Sequence, residues 1–247
     1  MKTKSVMFSL LGTAVLAAAF PAQAVDLNLT AGGTGTINGA IFQTSDNQST
    51  GTGVIQSFVR VQDNGIADGY NTSARPVFYD ENTSPTFTRD LQLAFVPIVN
   101  IGGVNYREFL LDINQQNSSP LLSLDKIQIY VSATGNQSGA IGTFGTKVYD
   151  LDTGTDSTIL LNYSLNNGSG SGDMFAYIPN AVFAGANYVT LYSMFGARGG
   201  AYAENDGFEE WAVRSVQTLP VPEPGTYALM LAGLGVVGFM ARRRRQA

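Results

Sequence analysis

The chain predicts an all-β fold, an antiparallel β-sandwich that would admit a jelly-roll-like arrangement, flanked by an N-terminal signal-peptide helix and a C-terminal transmembrane helix. Three observations carry this. Short apolar stretches with period-two alternation recur along residues 25–218. Turn signals rich in Gly, Asn, Asp and Pro separate them. No long amphipathic helical pattern interrupts them. About ten to twelve strands result, enough for two packed sheets in one domain.

In chain order, residues 36–42 alternate weakly after a Gly-rich entry. Residues 54–61 place Ile55, Val59 and Val61 on one parity and Gln56 and Arg60 on the other, as a half-buried strand requires. Residues 63–76 read as a turn-rich loop, with Asn64-Gly65 and Asp68-Gly69. Residues 77–79 form a short extended piece. Residues 86–95 and 96–101 supply strands divided near Pro97. Residues 98–101 and 104–113 flank Gly102-Gly103, the clearest hairpin in the chain, because glycine tolerates the positive φ of tight β-turns. Residues 124–132 alternate well, and 146–151, 157–165 and 174–178 follow. Residues 179–183 suit one helical turn. Residues 188–195 and 208–216 complete the set.

Two terminal segments bracket this body. Lys2 and Lys4 precede an apolar run over residues 6–20, and Ala22-Gln23-Ala24 forms an A-x-A cleavage site. Residues 1–24 therefore read as a signal peptide cut by signal peptidase, with Val25 the mature N-terminus. Residues 219–224 are a Pro-rich linker. Residues 225–241 are 17 uncharged residues, followed by Arg242, Arg243, Arg244 and Arg245. As a helix this run spans about 26 Å, the short end of what crosses a bilayer core of about 30 Å. The arginines stay cytoplasmic by the positive-inside rule, which leaves the body outside. The predicted units are thus 1–24, 25–218, 219–224 and 225–247.

Pro222-Glu223-Pro224, an apolar helix and a terminal arginine cluster, in that order, resemble the PEP-CTERM sorting signal of Gram-negative bacteria. The resemblance covers about the last 27 residues. It implies recognition by an exosortase, a membrane cysteine protease-transpeptidase that removes the tail near the Pro-Glu-Pro. Pro222, Glu223 and Pro224 would be the recognition element, and Arg242, Arg243, Arg244 and Arg245 the retention cluster. It also implies export linked to exopolysaccharide and biofilm matrix, with the mature form at the cell surface or beyond. A sortase signal needs L-P-x-T-G, and Leu219-Pro220 is followed instead by Val221-Pro222-Glu223. The segments R-E-F-L-L-D-I-N at 107–114, S-L-D-K-I-Q-I-Y at 123–130 and G-F-E-E-W-A-V at 207–213 are similar to segments of PEP-CTERM cargo proteins, β-sandwiches of unassigned function.

Composition narrows the chemistry. Without Lys2, Lys4, Glu223 and the four terminal arginines, 8 basic residues face 18 acids, so the body carries about −10 against −5 for the whole chain. No basic stripe exists to neutralise nucleic-acid phosphates. The chain has no cysteine and no histidine. Stability must come from the core, and no Ser-His-Asp triad, Cys-His pair or His-ligated metal can be built.

Two candidate sites remain. Asp150, Asp152 and Asp156 occupy positions one, three and seven of a calcium-type loop. Thr155 stands where an EF-hand has Gly, and Leu161 where it has Glu. An Asx-rich β-turn is the favoured reading, and a non-EF calcium loop the alternative, so calcium is the one cofactor considered. In the second candidate, Glu209 and Trp211 share a strand face while Glu210 takes the other. A core Trp211 is favoured over a sugar-stacking or metal site. The expected function is a non-catalytic envelope or matrix protein. A carbohydrate-binding module is the alternative, and a two-carboxylate glycoside-active enzyme stands below it.

Overall fold

The computed structural model describes residues 25–45, 55–168, 170, 172–205 and 207–214. The signal-peptide, linker and transmembrane readings, with Ala22, Ala24, Pro222, Glu223, Pro224 and Arg242, Arg243, Arg244 and Arg245, lie outside the described residues.

The described chain forms two seven-stranded sheets. The first contains β1 (Val25–Asn28), β5 (Ala67–Tyr70), β6 (Leu91–Gln92), β9 (Leu121–Ser132), β10 (Thr146–Asp150), β11 (Ser157–Asn162) and β13 (Tyr188–Phe195). Its order is β1-β11-β9-β13-β5. The 12-residue β9 pairs with β13 on one edge. Its other edge is divided between β11 and β10. The second sheet contains β2 (Thr34–Ile37), β3 (Ala40–Thr44), β4 (Ile55–Val61), β7 (Ile98–Ile101), β8 (Val104–Asp112), β12 (Met174–Pro179) and β14 (Glu209–Arg214). Its order is β2-β3-β12-β8-β14-β4, and β7 shares an edge of β8 with β14.

One hydrophobic core lies between the sheets. Leu122, Leu124, Ile127, Ile129 and Leu191 from the first sheet meet Phe42, Phe58, Phe109, Leu111, Ala176 and Trp211 from the second. Burying side chains of this size contributes about 1.5–3 kcal/mol each. The buried indole N–H of Trp211 donates to Ser193 Oγ at 3.0 Å and ties β14 to β13 across the core.

Several local readings change in the structure. The stretch around Asp68-Gly69 was expected to turn, yet it is strand β5. Glycine is needed there for close approach, since a Cβ would lie 2.7 Å from Glu81 Cγ and 2.8 Å from Val61 Cγ1. Residues 36–42 hold two strands rather than one. Asn38 and Gly39 take φ of 50° and 82° and close a hairpin between β2 and β3. Residues 86–95 give only β6 and a 3-10 turn, Leu93–Phe95. The first strand, β1, was not expected although V-D-L-N alternates, and it pairs with β11 in parallel, an exception to the expected antiparallel pattern. The 98–101/104–112 hairpin, the 188–195 strand and the helical turn (Asn180–Phe183) stand where the sequence places them.

Candidate functional site

The outer face of the first sheet carries the densest chemistry. Outward residues of β5, β9 and β13 set Tyr70, Tyr130 and Tyr192 side by side, and Phe144 folds over them. The Phe144 ring lies 4.7 Å from Tyr70 and 4.9 Å from Tyr130. Tyr79 joins from the 71–90 connection, 5.8 Å from Tyr192, and Phe78 meets Tyr79 edge-on at 4.9 Å. Most of these rings are buried under the connections, but Phe78 is 53% exposed. The face is therefore a covered aromatic cluster with one open ring at its rim, not an exposed aromatic row.

Carboxyls border the cluster. The Tyr192 hydroxyl donates to Asp68 Oδ2 at 2.6 Å, and the Asp68 N–H donates to Asp80 Oδ2 at 3.1 Å. Burial raises the Asp68 carboxyl above its usual range. The Tyr192 hydroxyl opposes that shift, and a hydrogen bond between the Asp68 and Asp80 carboxyls adds to it. Behind them Glu81 is buried and accepts from the Tyr70 and Tyr79 N–H groups at 3.0 and 2.7 Å. Burial raises its carboxyl as well. Asp80 acts on Asp68 by accepting its N–H and by its charge.

Asp150 lies at the opposite border. Its Oδ2 accepts from Gln128 Nε2 at 3.0 Å and pairs with Lys147 Nζ at 2.5 Å, while Gln128 Oε1 accepts from the Tyr130 hydroxyl at 2.6 Å. Its Oδ1 accepts from the Asp152 N–H at 3.0 Å, and Asp152 Oδ1 accepts from the Ser157 N–H at 3.0 Å. These are Asx-turn bonds. Burial raises the Asp152 carboxyl. Asp156 is exposed. Among the described residues no group of three acidic side chains is gathered so as to hold a metal ion.

Glu209 and Trp211 share a face as expected, and that face is the interior, with Trp211 in the core. Glu209 is fully buried and accepts from Gln115 Nε2 at 2.6 Å and the Asn114 N–H at 3.2 Å. Burial, then the nearby Glu204, pushes its carboxyl well above the usual range. Glu210 faces outward and meets Arg60 Nη2 at 3.0 Å. Buried Asp173 accepts from the Ile113 N–H at 2.7 Å, and its carboxyl is also pushed up by burial. Sequence reading missed Asp173, Glu204 and the Asp68–Asp80 pair. Their members are far apart or sit in turn-like composition, so no motif spacing marks them.

Among known families, the PEP-CTERM protein-sorting motif matches residues 220–245. The match contains Pro222, Glu223 and Pro224 as well as Arg242, Arg243, Arg244 and Arg245. No curated protein and no solved structure matches the chain. Among the described residues no helix is long and apolar enough to cross a membrane. The motif marks an exosortase-sorted, exported protein that its C-terminus anchors in the membrane before processing.

Proposed function

We propose that the mature chain is a non-catalytic component of the cell envelope or extracellular matrix, associated there with exopolysaccharide. The sorting motif at 220–245 is the observation that carries this reading, because it delivers the body to the compartment where such polymers lie. The histidine-free and cysteine-free composition supports the absence of catalysis. In the precursor, signal peptidase would act after Ala24 and the exosortase near Pro222-Glu223-Pro224. Asp150, Asp152 and Asp156 stay the residues to test for calcium.

Exposed Phe78, edge-on to Tyr79 and two positions from Asp80, favours direct glycan contact over passive residence in the matrix. A sugar ring would stack on Phe78, and its hydroxyls would donate to the carboxyl oxygens. Co-sedimentation of the mature protein with the producing cell's own exopolysaccharide, with calcium or with chelator, tests this. Binding is expected, and Phe78→Ala should weaken it severalfold. Equal recovery with and without polymer would remove the matrix-binding reading.

A further inference from the structure

We infer that, while the tail still holds the chain, one end of the sandwich rests on the bilayer surface through Phe95, Ile98, Val104 and Val182. The inference rests on the membrane-anchored precursor and is independent of what the mature chain later binds.

The last described residue is Arg214, at the end of β14. The pairing fixes which end that is. Glu209 lies opposite Val61 and Arg214 opposite Ile55, and the Arg214 guanidinium forms an ion pair with Glu108 near the start of β8. Arg107, beside it, gathers two further segments to the same end. It donates to the Leu93 and Val96 carbonyls at 3.0 and 2.6 Å and to Asn180 Oδ1 at 2.8 Å. Val213 and Phe95 line one surface cleft with Leu91 and Tyr188.

That end is apolar out of proportion. Phe95 is 64% exposed, Ile98 51%, Val104 49% and Val182 37%. Large exposed side chains of this kind, grouped on one surface, mark a contact surface. The opposite end exposes only Ile66 and Leu165 among the large apolar side chains described there.

The tether is short. Ten residues, 215–224, separate Arg214 from the apolar run that starts at Gly225. They reach at most about 36 Å when fully extended. The nine-residue β8 is itself about 30 Å long. The exit end is thus held near the lipid at high effective concentration, where even weak interfacial contacts are occupied. Phenylalanine and branched aliphatic side chains suit that interface.

The chain has no cysteine, so single probes can be placed cleanly. The tail-bearing full chain, reconstituted in exosortase-free vesicles of phosphatidylethanolamine and phosphatidylglycerol, would carry a fluorophore at Phe95→Cys, Ile98→Cys or Val104→Cys, or at the distal control Ile66→Cys. Unchanged Trp211 emission verifies that each variant is folded. Quenching by spin-labelled lipid should be severalfold stronger at the three exit-end positions than at the control. Equal quenching at all four positions, or none, overturns the inference. Shielding that appears only when exosortase is added assigns the surface to that protein and likewise overturns contact with lipid.

Discussion

Arg60 shows how single residues hold charge inside this fold. Its guanidinium lies 3.6 Å from the ring centroids of both Phe87 and Phe208 while pairing with nearly buried Glu210. Arg60→Ala should cost about 3–5 kcal/mol in a urea titration, because it strands a buried carboxylate. A loss within the range of ordinary surface substitutions would show that Glu210 is otherwise satisfied. Asp68 supplies a pH signature. Burial raises its folded-state pKa, so the fold binds its proton more tightly than the unfolded chain does. That stability is fully present below the unfolded carboxyl pKa and is lost as pH rises through the raised value. The urea midpoint should therefore fall between mildly acidic and neutral pH, and Asp68→Asn should flatten the fall. An unchanged slope in Asp68→Asn would place the effect in other buried acids. The Arg60–Glu210 pairing was not legible in the sequence, since its members lie 150 positions apart.

At the scale of elements, side chains repair what strands leave open. Along β13, β6 pairs at Tyr188 and Val189, and β5 from Tyr192 onward. The gap is filled by Asn71, whose amide donates to the Val189 carbonyl at 2.8 Å and accepts from the Leu191 N–H at 2.6 Å. Asn71→Ala should cost about 2–4 kcal/mol and speed amide exchange at Leu191, since it leaves two buried backbone groups unpaired. Unchanged exchange at Leu191 would show that the neighbouring strands close over the gap. Bulges explain why periodicity was only partly legible. In β9 the register against β13 slips between Leu124 and Lys126, so the inward parity changes from Leu122 and Leu124 to Ile127 and Ile129. The extra residue, Asp125, accepts from Ser123 Oγ and from the Ala197 N–H, both at 2.7 Å. In β4 a similar slip against β14 turns both Phe58 and Val59 inward. Hairpins with Gly-Gly turns and unbroken alternating strands could be read directly. The strand Ala67–Tyr70 could not, because Asp68-Gly69 carries a turn signal and pairing partners define it, and Val25–Asn28 alternates over only four residues, too few to stand out beside the cleavage site.

For the whole molecule, the sequence states destination more clearly than activity. The order of Pro-Glu-Pro, apolar run and arginines is contiguous, so it survives as a motif without any fold. The candidate site is assembled from β5, the 71–90 connection, β9 and β13, and only folding brings those parts together. Both ends of the chain are read as processing signals around a durable sandwich. The most direct test is mass spectrometry of the protein recovered from cell-surface and extracellular material, in strains with and without an active exosortase. A mature chain that begins at Val25 and lacks the arginine cluster is expected in the first strain, and tail-bearing chains confined to the membrane in the second. A tryptic peptide ending at Arg242 in surface material from the exosortase-active strain would contradict this expectation.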